Sequence, residues 1–166
     1  MQDSSLTHRL IAGSVAGAAA TVVMQPLRSL TAARVPQAKA PIRQDPGEFM
    51  VERVEERLPA KAADRIPEAA EHAAAKSLAL GYGITFGALY AMLRPRPGNI
   101  LAEAAALGLV TWAAGYLGWL PAAELMPPVT KQRPAQIAGP LVEHLVYGLA
   151  VVGGLAAARR IESRLS

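Results

Sequence analysis

Four stretches of this chain are apolar through their middles, and each approaches the length needed to cross a bilayer. Bilayer hydrocarbon is about 30 Å thick, which a helix of roughly 17–25 mostly apolar residues spans. Leu10 to Leu27 and Ser77 to Leu93 contain no charged residue. Ile100 to Leu120 carries only Glu103, one turn inside its start, and Pro140 to Ala158 carries Glu143 and His144 near its start. A helix made for water buries one stripe and displays charge on the other face. These segments instead gather their charges at their ends. Glycine is dense inside them, which is costly in a water-exposed helix but common in membrane helices.

This patterning predicts an all-α protein: a single domain forming a four-transmembrane-helix bundle in the lipid bilayer. Its spans fall near 10–27, 70–93, 100–120 and 140–158, with a long, partly helical amphipathic loop at 28–69 between the first two. Small residues four apart let membrane helices approach closely. Gly13 with Gly17, and Gly83 with Gly87, have that spacing, and Gly115, Gly118, Gly148, Gly153 and Gly154 thin the last two spans. They are expected to form contact faces within one bundle. The leading segment MQDSSLTHR has no positive excess, so the first span is expected to be retained rather than cleaved as a secretory signal.

The ends of the spans set an orientation. Arg9, Arg94, Arg96, Arg159, Arg160 and Arg164 share one side with only Asp3 and Glu162, whereas the loop between spans three and four holds Lys131 and Arg133. Counted over short loops and tails, the positive-inside rule places both termini in the cytoplasm. In the first loop, Pro36, Pro41 and Pro46 specify an extended linker. Gly47 to Leu58 then reads as an amphipathic helix with Met50, Val51, Val54 and Leu58 on one face. It is expected to lie across the bundle mouth or along the headgroups, or else to dock a partner protein.

Ionisable residues in spans are costly and mark candidate functional sites. A second helix begun at Pro67 would run from Glu68 to Leu93, about 39 Å at 1.5 Å per residue. Pro140 reads as the first residue of the fourth helix. Glu71-His72 and Glu143-His144 then stand at one mouth of the bundle, with Gln25, Arg28 and Glu124 near that level. Imidazole and carboxylate together fit proton sensing near neutral pH or, alternatively, a divalent metal. The plainer explanation is anchoring of helix ends, with first-turn glutamates favoured by the helix dipole; the same holds for Glu103 after the cap residue Asn99. Repeat-like matches of Glu71-His72 with Glu143-His144, and of Tyr82-Gly83 with Tyr147-Gly148, imply conflicting registers.

The 52% hydrophobic and 18% charged composition excludes a disordered chain. The lack of cysteine excludes disulfides, cysteine-ligated zinc, iron–sulfur clusters and thiol catalysis. No nucleophile elbow, phosphate loop, zinc-protease motif or dinucleotide fingerprint occurs, so neither catalytic residues nor cofactors are expected. No basic patch is interleaved with aromatics, which argues against nucleic acid.

Gly81 to Tyr90 (GYGITFGALY) and His144 to Gly148 (HLVYG) resemble the YagU-like small inner-membrane proteins of bacteria, a family of unknown function. The resemblance covers the spans, above all two and four, and departs at Ala79, where the counterpart of His144 falls. It implies a multi-pass protein of the bacterial inner membrane. Together with the residue reading it leads to a non-enzymatic accessory or structural subunit with membrane-protein partners. A small transporter or pH-responsive proton or ion channel using the two Glu-His pairs is the alternative.

Overall fold

The computed structural model describes residues 2–59, 66–94 and 98–165. Arg96, counted above in the orientation argument, lies outside them, as do Lys61, Asp64 and Arg65 of the long loop. Every regular element among the described residues is helical. The first helix, α1, is Gln2–Arg34. After a 3-10 turn at Pro36–Ala38 come α2, Pro46–Glu55, and α3, Glu68–Leu93. Helix α4 is Ile100–Ala122, and α5 is Pro134–Leu165.

Helices α1, α3, α4 and α5 run up, down, up and down. Gly13 meets Gly87 while Gly17 meets Gly83, so α1 and α3 are antiparallel. Helices α4 and α5 repeat the arrangement, with Gly148 on Ala104 and Gly108 on His144. At each contact an added Cβ would strike backbone, so these helices touch main chain to main chain. The two seams correspond through Gly87 and Gly148. That is one helical turn from the register of the Tyr82-Gly83 and Tyr147-Gly148 match. Between the seams, Met24, Tyr90, Ala91, Leu107, Tyr147, Val151 and Val152 fill the centre. Outward positions are apolar too: Ile11, Val15, Val22 and Val23 on α1, Leu101, Leu109 and Val110 on α4, and Val142 and Leu149 on α5.

Among the described residues, three helices are long and apolar enough to cross a membrane: Leu6–Arg34, Ile100–Ala122 and Pro134–Arg164. The sequence reading counts four. Helix α3 falls short because Glu71, His72 and Lys76 dilute its first turns, and its later turns mix Gly, Tyr, Ser and Thr with Leu.

One proline reading changes: Pro140 lies inside α5 rather than at its start. Pro26 likewise lies inside α1, which continues to Arg34. The start of α5 is fixed earlier by Pro134 at the first helical position. Gln136 Oε1 there accepts from the Arg133 N–H at 3.0 Å, half of a capping box. Glu143 and His144 are therefore in the third turn. His144 sits ten residues, about 15 Å, inside the helix start.

Helix α4 also departs from a plain rod. Ala114–Trp119 forms a π-type turn, and Gly118 leaves helical geometry at φ −96°, ψ −109°. The loop after α1 covers this irregular end. Arg43 N–H donates to Leu125 O at 2.9 Å, and Ala40, Ile42 and Phe49 pack with Tyr116, Leu120, Leu125 and Met126. Asp45 then caps α2, accepting from Gly47 and Glu48 N–H.

Helix α2 leans on α3 through Gly47, set against the Ala75 backbone. Its facing is not the one expected from amphipathicity. Glu48, Val51, Glu52 and Glu55 turn towards Glu71 and His72, while Met50, Val54 and Leu58 stay exposed. The close approach at Gly47 and the insertion of Phe49 under α4 fix the rotation of so short a helix. The apolar stripe does not set it.

Candidate functional site

The bundle holds a cavity of about 80 Å³ that opens at the end where α1 and α4 finish and α3 and α5 begin. One water needs about 10–15 Å³ of such space, so several fit. Its walls include Thr21, Met24 and Arg28 of α1, Ala79 and Tyr82 of α3, Thr111 of α4, and Glu143, His144 and Tyr147 of α5.

His144 is a polar wall of this cavity. Its Nδ1 lies 2.7 Å from Pro140 O, one turn back on α5. A carbonyl only accepts, so Nδ1 carries the proton, and in the neutral ring Nε2 is left as an acceptor. Tyr116 meets the imidazole edge-on, with ring centroids 5.8 Å apart. The irregular end of α4 thus bears directly on the histidine. At the mouth, Arg28 Nε donates to Glu143 Oε2 at 3.1 Å, joining α1 to α5. Arg28 is half-exposed and Glu143 largely covered.

The tyrosines on the wall tie helices together. Tyr82 donates to Thr111 O at 2.8 Å, linking α3 to α4, and Tyr147 donates to Gly83 O at 2.6 Å, linking α5 to α3. Both hydroxyl protons go to main-chain carbonyls that their own helices also use. Beyond Tyr147 the apolar centre begins, so the cavity is blind.

The two Glu-His pairs do not share a site. Glu71 and His72 lie two turns before Ala79, in a separate cleft with Glu48, Glu52 and Glu55 of α2. His72 Nδ1 is 3.6 Å from Glu48 Oε1. Glu55 Oε1 is closed off from water and has no hydrogen-bond partner among the described residues. Burial, then Glu71, then Glu52 push its carboxyl above the usual glutamate range. No group of three or more His, Asp or Glu among the described residues is placed to hold a metal ion. Of the neighbours named from sequence, Arg28 joins the His144 site. Gln25 is exposed, and Glu124 lies exposed in the turn after α4 at φ 59°.

Sequence reasoning missed a second polar cluster at the opposite end. Glu103 is buried at 9% exposure, and both its oxygens are used. Oε2 accepts from the Tyr90 hydroxyl at 2.6 Å. Oε1 accepts from Arg94 Nη2 at 2.8 Å and from Gly98 N–H at 2.7 Å. Asn99 caps α4 as expected, accepting from Leu101 and Ala102 N–H. The cap satisfies the first turn, so Glu103 is free to turn inwards. The available signal was that Glu103 is the one carboxylate within an otherwise uncharged apolar segment.

The described residues therefore form an all-helical bundle, three of whose helices are long and apolar enough to cross a membrane, with a small, largely apolar cavity bearing His144 at one end and the Glu103 cluster at the other. No family model, no curated protein and no solved structure matches the chain.

Proposed function

We propose that this chain is a four-span integral membrane protein that acts without catalysis, as an accessory or structural subunit of a larger membrane assembly. The observation that carries the reading is the filled centre between two main-chain seams. A transporter is expected to place its site near the midplane, at broken helices. Here Leu107, Val151 and Val152 fill the centre beyond the cavity that Met24 and Tyr147 line. The outward apolar faces of α1, α4 and α5 suit lipid or the helices of a neighbour. The fourth crossing is α3: Ser77 to Leu93 is uncharged and lies main chain to main chain against α1, so it shares the depth of a helix that can span. The location we propose is the inner membrane of a bacterium, which rests on the likeness to YagU-like proteins. The cytoplasmic placement of both termini rests on the arginines of the tails and of the α3–α4 connection.

The test is native mass spectrometry of the particle released from native membranes by a mild detergent. Stoichiometric companion subunits are expected; a bare monomer or homo-oligomer contradicts the reading.

A pH-responsive role is the second reading, favoured by His144 on a cavity with the Arg28–Glu143 pair at its mouth. His144→Ala in liposomes should remove any pH-dependent proton or ion flux. An unchanged flux excludes the histidine.

A further inference from the structure

At the end opposite the cavity, arginines of α1, α3 and α5 gather near the helix ends. Arg94 is taken up by Glu103, whose two oxygens are already filled by three donors. Glu162, the nearby carboxylate on α5, pairs with His8 at 3.8 Å. Arg9 reaches across from α1, with Nη1 3.5 Å from Met92 O at the end of α3. Arg159 on α5 is near enough to act electrostatically on the Tyr90 hydroxyl. It has no carboxylate within ion-pair distance among the described residues. Its side chain is half-buried, and Nη1 is shut off from water without a hydrogen-bond partner among them.

A guanidinium in that condition is costly, because an unsatisfied buried donor keeps its desolvation penalty. A planar fork of N–H groups matches phosphate oxygens in particular. The level is right for such a partner: Arg159 follows immediately on the apolar run ending at Ala158, and Arg94 on the run ending at Leu93. In a bilayer these positions fall in the headgroup layer, where basic pockets between helices hold anionic lipids.

We infer that Arg159 binds the phosphate of an anionic phospholipid headgroup. The inference rests on the membrane-spanning reading above. Rotation of the Arg159 side chain brings its fork to the phosphate oxygens and releases Nη1 from its enclosure, while the Tyr90–Glu103–Arg94 cluster holds the helix ends. Arg160, the next residue, is exposed and serves as the matched control, since it carries the same charge without that enclosure.

The experiment uses the full chain in a mild neutral detergent, titrated with phosphatidylglycerol, with phosphatidylcholine, and with inorganic phosphate, and read by native mass spectrometry. Wild type and Arg160→Ala should retain phosphatidylglycerol over phosphatidylcholine, and Arg159→Ala should weaken that retention about tenfold, as expected for losing a charge-assisted contact. Arg159→Lys should recover part of it, which separates binding from folding. Equal retention by wild type and Arg159→Ala overturns the inference. Arg159-dependent binding of inorganic phosphate without preference between the two lipids overturns the lipid source and assigns the site to a soluble anion. Release of the protein from membranes by an alkaline carbonate wash overturns the spanning reading instead. An embedded protein lacking Arg159-dependent lipid overturns this inference alone.

Discussion

The Tyr90 hydroxyl and the Glu103 carboxylate meet at 2.6 Å, joining the last turn of α3 to the first turns of α4. These two helices otherwise touch sparingly, so the pair, with Arg94 and Gly98, sets their spacing at this end. Hydrogen bonds to charged groups contribute about 1.5–3 kcal/mol. Tyr90→Phe is expected to lose about that much, because Glu103 keeps Arg94 and Gly98. Glu103→Ala should cost more, since it strands the Tyr90 hydroxyl, Gly98 N–H and Arg94 together. Unfolding in mixed micelles by added dodecyl sulfate measures both. A Tyr90→Phe protein as stable as wild type contradicts the role given to the pair.

The glycine seams make a contrast that composition alone cannot. A Cβ at Gly83 or Gly87 would meet side chain or backbone of α1, whereas Gly153 and Gly154 have open space around them. Gly83→Ala and Gly87→Ala should each destabilise the bundle by at least about 1–3 kcal/mol, the range of overpacking. Gly153→Ala and Gly154→Ala should stay within about 0.5 kcal/mol of wild type, as surface changes do. The same micelle titration reads all four. Equal costs at both pairs would remove the seam from the account.

The Arg28–Glu143 pair stands at the cavity mouth, and Arg28 is half-exposed. Its coupling energy, from a double-mutant cycle with Arg28→Gln and Glu143→Gln, should be no more than about 1 kcal/mol and should shrink as salt is raised. A coupling of several kcal/mol, insensitive to salt, would mean that the pair is far less solvated than this geometry implies.

Docking of α2 should depend on pH through Glu55. Burial first, then Glu71 and Glu52, raise its carboxyl in the docked state. A group raised on docking contributes fully below its free value, about 4.3 for glutamate, and the contribution is lost as pH rises through the docked value. Glu48 and Glu52 of α2, with Glu71 and His72 of α3, face the same cleft, so the comparison is with Glu55→Gln. A spin label at Val54, which is exposed, should be more restricted at pH 4 than at pH 7, and Glu55→Gln should remove part of that change. Identical pH responses in the two proteins would contradict it.

Much of the helical layout is legible in the sequence because charge-free length is a local property. Leu10–Leu27, Ile100–Leu120 and Pro140–Ala158 each lie inside a helix able to span, and Glu68–Leu93 has the limits that Pro67 specifies. Glycine contacts at Gly13, Gly17, Gly83 and Gly87 follow from spacing; Gly148 meets Ala104 as a thinned position should, but Gly153 and Gly154, expected at contacts too, stand in open space. Gly108 was hidden because its partner position is Ala104, although small residues four apart are the same signal. Less legible was anything set by rotation about a helix axis. Uniformly apolar helices carry no moment to fix which face turns inwards, so His144 could not be told from a helix-end anchor. Its depth depended on a start at Pro134, signalled by Gln136 rather than by Pro140. Glu103 was obscured by a sound local explanation, since a first-turn glutamate after an Asn cap is favourable whether it faces in or out. The rotation of α2 followed Gly47 and Phe49, two tertiary contacts with no counterpart in its own pattern.

The crossing of α3 is the point on which the four-span account depends, and the chain's lack of cysteine makes it directly measurable. Single cysteines placed at Thr7, Arg43, Thr130 and Ser163 can be labelled with an impermeant thiol reagent in intact cells and in inverted vesicles. Four spans predict that Thr7→Cys and Ser163→Cys react from the same side, and Arg43→Cys and Thr130→Cys from the other. Reaction of Thr7→Cys and Ser163→Cys from opposite sides would mean three crossings, and would contradict the account.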